Sequence, residues 1–99
     1  MNSVQKALDL TMKEGQPKLN VQVHPNGKGG IQKVYKFPNG WGASVVMFPG
    51  SYGFEKGLWE LAVLNTNDEI SYDTPITSDV IGYLDDTMTG IILERIKKL

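Results

Sequence analysis

Residues 36–84 decide the fold of this chain: KFPNGWGASVVMFPGSYGFEKGLWELAVLNTNDEISYDTPITSDVIGYL. Near the start of this stretch, Asn39-Gly40 is the strongest short signal for a β-hairpin, because a two-residue type I′ turn needs positive φ at both central residues. Residues 58–64 are apolar except for one glutamate, which is typical of a buried strand. The nine residues between these features, 49–57, form a loop longer than a hairpin needs. Such a loop is a candidate for function.

A two-residue turn at Asn39-Gly40 predicts a register for the hairpin. Phe37 would lie opposite Gly42, and Tyr35 opposite Ser44. One face of the strand pair would carry Ile31, Lys33, Tyr35, Phe37, Val46 and Phe48, and the other would carry Gln32, Val34, Lys36, Ala43, Val45 and Met47. Because both faces of the second strand are then largely apolar, we expect it to be a central strand covered on both sides.

Further strands are predicted on both sides of the hairpin. Residues 19–24 alternate apolar and polar side chains, as a half-buried strand does. Residues 31–37 form the first strand of the hairpin, and 69–72 form a short charged edge strand. The chain therefore contains four or five strands that follow one another as an antiparallel meander.

Helices are predicted at the two ends of the chain. Val4, Ala7, Leu8, Thr11 and Met12 recur at helical spacing after Ser3, and Gly15 follows as a stop signal. Towards the other end, Asp79 begins a short helical turn and Asp85 is a good N-cap for the last helix. The apolar stripe of that C-terminal region comprises Ile81, Leu84, Met88, Ile91, Ile92, Ile96 and Leu99.

Gly90 lies inside the last helix, where glycine is unfavourable by up to about 1 kcal/mol, so a close backbone contact is expected there. The predicted class is α+β: an antiparallel β meander of four to five strands with an N-terminal helix and a C-terminal helix packed on the sheet. Ninety-nine residues are enough for a single domain, assigned to 1–99.

Composition sets the broad class of the protein. Hydrophobic residues make up 40% and charged residues 21%, as in ordinary globular domains. No apolar run reaches the roughly 18 residues of a membrane span, and no signal-peptide pattern opens the chain, so no membrane partner is expected. The chain has no cysteine, which agrees with a reducing cytoplasm.

Charge is distributed unevenly along the chain. Residues 1–40 hold six lysines against two acids, a net of +4, whereas residues 41–99 hold four basic side chains against nine acids, a net of −5. One interpretation is a solvated surface whose two halves attract each other. The other is a separate acidic face for a basic partner.

The residue types favour binding over catalysis. His24 is the only histidine and is interpreted as an ordinary surface residue, and the chain has no cysteine. These numbers are too few for the usual nucleophilic sites or for zinc. We therefore expect no enzyme, no catalytic residues, no metal site and no cofactor. A weak Mg²⁺ or Ca²⁺ site among the acidic residues stays open.

Lysines suggest one alternative activity. The segment 27–30 (GKGG) could present backbone N–H groups to a phosphate, but it lacks the helix that follows a phosphate-binding loop, and a flexible turn explains it better. Lys28, Lys33 and Lys36, interleaved with aromatic residues, loosely match a nucleic-acid platform. Binding of nucleic acid or of a nucleotide phosphate through these lysines is the alternative function.

Aromatic residues outside the strands are the leading candidates for a binding surface. Trp59 alternates with apolar strand residues and is predicted to be core. Trp41 beside the turn, and Tyr52 and Phe54 in the long loop, have no such place in a strand. Exposed aromatics at loop tips anchor protein interfaces. The competing interpretation is that Tyr52 and Phe54 fold back to close the end of the sheet.

Five blocks of this sequence resemble a family of small, largely uncharacterised proteins encoded by bacteriophages and prophages. They are residues 39–46 (NGWGASVV), 51–53 (SYG), 59–64 (WELAVL), 72–77 (YDTPIT) and 79–84 (DVIGYL). The resemblance covers about half of the chain and implies a setting rather than an activity. Residues 1–30 lie outside the blocks and are interpreted as an N-terminal extension particular to this branch.

The expected function is therefore that of a small phage-encoded, non-enzymatic binding module, acting in the host cytoplasm on a host protein in host takeover or anti-defence. Trp41, Tyr52 and Phe54 are its predicted partner-binding residues. A homodimer is also expected, because helices at the two ends would leave one face of an apolar sheet incompletely covered.

Overall fold

The computed structural model describes residues 17–25, 27 and 29–99. A five-stranded antiparallel sheet has its strands in chain order, so each strand pairs with the next. The elements are β1 (Lys18–Val23), β2 (Ile31–Lys36), β3 (Gly42–Met47), a 3₁₀ helix (Phe54–Lys56), β4 (Trp59–Leu64), β5 (Ile81–Leu84) and the helix α1 (Asp86–Lys97).

The α+β prediction with two helices is wrong, because the described residues form a mostly β fold with one α-helix. The predicted N-terminal helix falls on residues 1–16, outside the described part of the chain. Residues 81–84, predicted to belong to a helical region, form β5, in which Leu84 pairs with Trp59 and Ile81 with Leu61. Burial against a sheet outweighs helical spacing in so short a segment.

The hairpin is present, but its predicted register is wrong by one residue. The N–H of Phe37 donates to the carbonyl of Trp41 at 2.8 Å, and the N–H of Gly40 donates to the carbonyl of Phe37 at 2.9 Å. The loop therefore has three residues, Pro38-Asn39-Gly40, and ends with Gly40 at φ +91°. Such a loop is built on a type I turn, for which proline is preferred in its first central position.

This shift turns β3 over relative to β2. Tyr35 pairs with Ala43 and Lys33 with Val45, so Ala43 and Val45 lie on the face of Tyr35 and not on the opposite face. Gly42 lies opposite Lys36 instead of Phe37, and a Cβ there would collide with the carbonyl oxygen of Tyr35. Close backbone approach explains this glycine better than an aromatic cover.

The hydrophobic core lies between this face and α1, which packs across β3, β4 and β5. Its buried residues are Phe37, Ala43, Val45, Trp59, Leu61, Val63, Leu84, Ile92 and Ile96. The prediction that Trp59 belongs to the core is confirmed, with 9% of its surface exposed.

The opposite face is crossed by a row of hydrogen-bonded polar side chains. Gln22 Nε2 donates to Gln32 Oε1 at 2.7 Å, and Gln32 Nε2 donates to Ser44 Oγ at 3.0 Å. These bonds link β1, β2 and β3 on the side away from α1. The predicted apolar character of both faces therefore fails in this part of the sheet.

Helix α1 is fixed at both ends. Asp85 is its N-cap, as predicted, and accepts a hydrogen bond of 2.7 Å from the N–H of Met88. At the other end, Asn39 Nδ2 contacts the carbonyl oxygens of Ile96, Lys97 and Leu99 at 3.0, 3.0 and 3.3 Å. The hairpin turn thus closes the C-terminal end of the helix.

Only part of the predicted apolar stripe is buried in α1. Ile92 and Ile96 belong to the core, whereas Met88 and Ile91 are exposed. The expected close contact at Gly90 is absent, because a Cβ at this position would meet nothing within 4 Å.

Residues 69–72, predicted to form an edge strand, make only an isolated bridge between Ile70 and Leu64. Asn65 Oδ1 accepts hydrogen bonds from the N–H groups of Asn67 and Glu69, and these bonds hold a turn. The chain then leaves the sheet edge, and β5 takes the place next to β4.

Candidate functional site

The loop between β3 and β4 begins with a tight turn centred on Ser51. Its N–H donates to the carbonyl of Phe48 at 2.9 Å, and its Oγ bonds both the N–H and the carbonyl of Phe48 at 3.0 and 2.8 Å. Gly50 has φ +102°, which the turn requires. Ser51 is buried, so its side chain serves to fix the loop.

The 3₁₀ helix that follows is held between two left-handed glycines. Gly53 has φ +99° and Gly57 φ +67°. The carbonyl of Gly53 accepts hydrogen bonds of 3.0 Å from the N–H groups of both Lys56 and Leu58. A Cβ on Gly53 would lie 2.9 Å from the Cβ of Leu58, so only glycine fits this position. The loop is thereby built as a fixed structure.

Tyr52 connects the loop to the sheet. Its N–H donates to Glu60 Oε1 on β4 at 3.2 Å, and its carbonyl accepts from the N–H of Tyr83 on β5 at 3.2 Å. Beneath it lies Gly82, where a Cβ would collide with the Cβ of Tyr52. Gly82 therefore lets the loop lie directly on the backbone of β5.

Tyr83 has an unusual backbone conformation. Its φ is +58°, in the left-handed region that bulky residues seldom occupy. The pairing of β4 with β5 shifts register between Trp59 and Leu61, as it does at a β-bulge. A bulge redirects side chains, and 60% of the Tyr83 side-chain-bearing residue surface is exposed.

Together these elements present three aromatic rings at one end of the sheet. Tyr52 is 58% exposed and Phe54 36%, so neither folds back to bury its ring as the competing interpretation required. With Tyr83 they line a cleft of about 450 Å³. Lys56 Nζ lies 5.9 Å from the centroid of the Tyr83 ring. We call Tyr52, Phe54, Lys56 and Tyr83 the aromatic tip.

Trp41, the third predicted partner-binding residue, does not join the aromatic tip. It precedes the start of β3, whereas the long loop follows the end of β3, and six strand residues span about 20 Å. Trp41 is partly buried against the hydrophobic core. The structure therefore brings Tyr52 and Phe54 together and leaves Trp41 at the opposite end of the sheet.

The lysines of the alternative function are not gathered on one surface. Lys33 and Lys36 point to opposite faces of β2. Lys33 Nζ lies 4.3 Å from the ring centroid of Trp59, and Lys36 Nζ forms a 2.7 Å ion pair with Asp68 Oδ1. Lys28 lies outside the described residues.

A second, smaller cleft of about 280 Å³ lies between β2 and α1. On its wall, Trp59 Nε1 donates to Asp86 Oδ1 at 2.9 Å, beside Lys33. Burial raises the pKa of the Tyr35 hydroxyl, and the negative charge of Asp86 raises it further. The polar groups at this position bind one another, so the cleft serves to hold the start of α1 on the sheet.

Within residues 17–25, 27 and 29–99, no three His, Cys, Asp or Glu side chains lie close enough together to hold a metal ion. The exposed groups of the aromatic tip are two phenols, one phenyl ring and one ammonium group. Such groups supply contact area, hydrogen bonds and one positive charge, which are the means of recognition.

Tyr83 and Lys56 were absent from the sequence-based site. Tyr83 was missed because residues 81–84 were assigned to a helical region, and its position beside Tyr52 follows only from the pairing of β4 with β5. The glycine before it was an available signal, since a glycine in a strand often marks a bulge or a close backbone approach.

Comparison with known proteins gives no relative: no family model, no curated protein and no solved structure matches this chain. Among the described residues, no helix combines the length and apolar character that crossing a membrane requires. The class of the fold is thus a five-stranded antiparallel meander with one helix, and the aromatic tip is its candidate site.

Proposed function

We propose that this chain is a non-enzymatic protein-binding module that engages its partner through the aromatic tip. The observation that carries the proposal is Tyr83, an exposed aromatic residue held at φ +58° beside Tyr52. A bulky residue in this conformation has an unfavourable energy of order 1–3 kcal/mol, and such strain clusters at functional positions.

Preorganisation of the loop supports the same conclusion. The turn at Ser51, the glycines at 53 and 57 and the hydrogen bonds of Tyr52 fix the backbone before any partner arrives. A fixed loop loses little conformational entropy on binding, so more of the contact energy of its aromatic side chains becomes affinity. Tyrosine is enriched among the residues that dominate interfaces.

The chemistry of the aromatic tip defines the partner surface that would fit. The rings of Tyr52, Phe54 and Tyr83 call for an apolar patch, and the two phenol groups call for hydrogen-bond acceptors at its rim. Lys56 favours an acidic group close to that patch. The resemblance to phage-encoded proteins supplies the setting, in which the partner is a protein of the bacterial host and the binding takes place in its cytoplasm.

The test is an affinity capture from bacterial lysate treated with nuclease, comparing three forms of the chain by quantitative mass spectrometry. The proposal expects one protein to be retained by the unaltered chain and reduced at least tenfold with Tyr52→Ala/Phe54→Ala. Tyr72→Ala removes an exposed tyrosine outside the aromatic tip and is the matched control. Equal retention by all three forms would contradict the proposal, provided that circular dichroism shows each variant folded.

Nuclease makes the outcome specific to protein recognition. If capture required intact nucleic acid and weakened steeply with salt, the alternative function through Lys28, Lys33 and Lys36 would replace this one. The separation of Lys33 and Lys36 on opposite faces of β2 gives that alternative less support than the aromatic tip gives to protein binding.

A further inference from the structure

Strand β1 is an edge strand without the usual protection against pairing. All six of its residues are exposed, and its register with β2 runs unbroken from Lys18 opposite Lys36 to Val23 opposite Ile31. Natural edge strands are commonly shortened, bulged, interrupted by proline or given inward-pointing charges. β1 has none of these features, and its only charged residue is Lys18, at the first position.

The side chains of β1 are sorted by face. Leu19, Val21 and Val23 pair with Tyr35, Lys33 and Ile31, on the face that α1 covers further along the sheet. Their exposed fractions are 39%, 57% and 72%, and Ile31 is 43% exposed beside them. Asn20 and Gln22 lie on the other face. There Gln22 is the outermost side chain of the hydrogen-bonded row that continues to Gln32 and Ser44.

We propose that β1 pairs antiparallel with β1 of a second copy of this chain, with Val21 facing its own counterpart on the two-fold axis. The two five-stranded sheets then form one sheet of ten strands. This inference goes beyond the aromatic tip and does not depend on it.

Symmetry restricts the register of such a pairing to two choices. A two-fold axis perpendicular to the sheet keeps every side chain on its own face, so either Val21 or Asn20 must face itself near the middle of the strand. With Val21 on the axis, Leu19 faces Val23 of the second copy, so all three apolar residues find apolar neighbours. With Asn20 on the axis, Val23 would face Pro17, which cannot donate a ladder hydrogen bond.

The polar face favours the same register. With Val21 on the axis, Asn20 of one copy faces Gln22 of the other, and the two amides can donate to and accept from each other. The row from Ser44 through Gln32 and Gln22 is then continued across the axis. Facing side chains of this kind each contribute roughly 0.2–1 kcal/mol to strand pairing.

Charge also agrees with antiparallel pairing of identical strands. Lys18 of each copy lies at the opposite end of the joined strands, about 20 Å from the other Lys18 along the strand direction. A parallel arrangement would instead place the two like charges side by side. Because the axis reverses strand direction, the two aromatic tips point in opposite directions, and each copy can bind its own partner.

Cysteine crosslinking tests this register directly, because the chain contains no native cysteine. In the proposed dimer the two Cα atoms of residue 21 lie about 4.5–5.5 Å apart, within the range of a disulfide. Those of residue 20 lie about 8 Å apart, beyond that range. Under mild oxidation Val21→Cys should therefore give a covalent dimer, and Asn20→Cys should not.

Mass measurement and charge substitution complete the test. Light scattering should find twice the 11.0 kDa chain mass at high micromolar concentration. Val21→Lys should shift the equilibrium to monomer by at least tenfold in Kd, while Ile91→Lys, at an exposed site on α1, leaves it unchanged. A monomer at every concentration, or a crosslink at residue 20 in place of 21, would overturn the proposal.

Discussion

Tyr83 donates its backbone N–H to the carbonyl of Tyr52 across 3.2 Å, and this bond joins the only two tyrosines of the aromatic tip. One residue earlier, Gly82 has no side chain to hold the loop away from β5. The bulge between β4 and β5 and the left-handed φ of Tyr83 then direct its ring outward. Local backbone geometry thus brings an aromatic residue of β5 beside those of a distant loop.

Replacing Tyr83 by asparagine should separate stability from binding. Asparagine adopts positive φ far more readily than tyrosine, and so little of the Tyr83 surface is buried that few contacts are lost. We expect the free energy of unfolding to rise by up to about 1 kcal/mol, measured by urea denaturation. Capture of the partner should fall at the same time. Tyr72→Asn, without positive φ, should give no such gain, and a loss of stability in Tyr83→Asn would refute the strain argument.

Two glycine-to-alanine substitutions should have opposite effects. Gly90→Ala places a methyl group into open space inside α1 and should stabilise the protein by about 1 kcal/mol, a rise of roughly 4–8 °C in Tm. Gly82→Ala forces a Cβ against Tyr52 and should destabilise it by about 1–3 kcal/mol. Calorimetry of the two variants checks both signs, and equal shifts would contradict the described packing.

Asn39 should contribute strongly to stability because it joins the hairpin to the end of α1. Its Nδ2 group contacts three helix carbonyls, and its Oδ1 accepts from the N–H of Trp41 at 3.0 Å. Asn39→Ala should lower the free energy of unfolding by about 1–3 kcal/mol. Asn39→Asp, which removes the donor and brings a negative charge to the carbonyls, should be at least as harmful. Chemical denaturation measures both, and a neutral Asn39→Asp would show that the amide does not close the helix.

Tyr35 predicts a loss of stability in alkaline solution. Burial, and then Asp86, raise the pKa of its hydroxyl above the ordinary value of 10.0. Above pH 10 the unfolded chain releases this proton while the folded chain retains it, so the unfolding free energy decreases as pH rises through the folded-state pKa. Tyr35→Phe should reduce this decrease in denaturation curves between pH 9 and 11. An identical pH profile for the variant would show that Tyr35 does not cause it.

The sequence located the hairpin but not its register, and the reason lies in Pro38. Asn39-Gly40 favours a two-residue turn, whereas Pro38 before it favours a type I turn that begins one residue earlier. Both patterns are present in the same four residues, and the structure follows the second. A shift of one residue exchanges the faces of β3, so the predicted pairing of faces failed although the strand itself was predicted.

The candidate site was predicted in part for a related reason. Tyr52 and Phe54 stand out locally, because they are aromatic residues in a glycine-rich loop. Tyr83 lies some thirty residues further along and joins them only through strand pairing that involves a bulge, which local sequence patterns do not specify. Trp41 looked equivalent to Tyr52 in the sequence, and only the length of β3 separates the two.

Site-specific photocrosslinking tests the central claim most directly. A photoreactive phenylalanine analogue placed at Phe54 in bacterial cells should form a covalent adduct with one partner protein, and the same analogue at the exposed Tyr72 should not. The adduct should disappear when Tyr52→Ala and Tyr83→Asn are introduced together into the Phe54-labelled chain. No adduct at position 54, or the same adducts at positions 54 and 72, would contradict recognition through the aromatic tip.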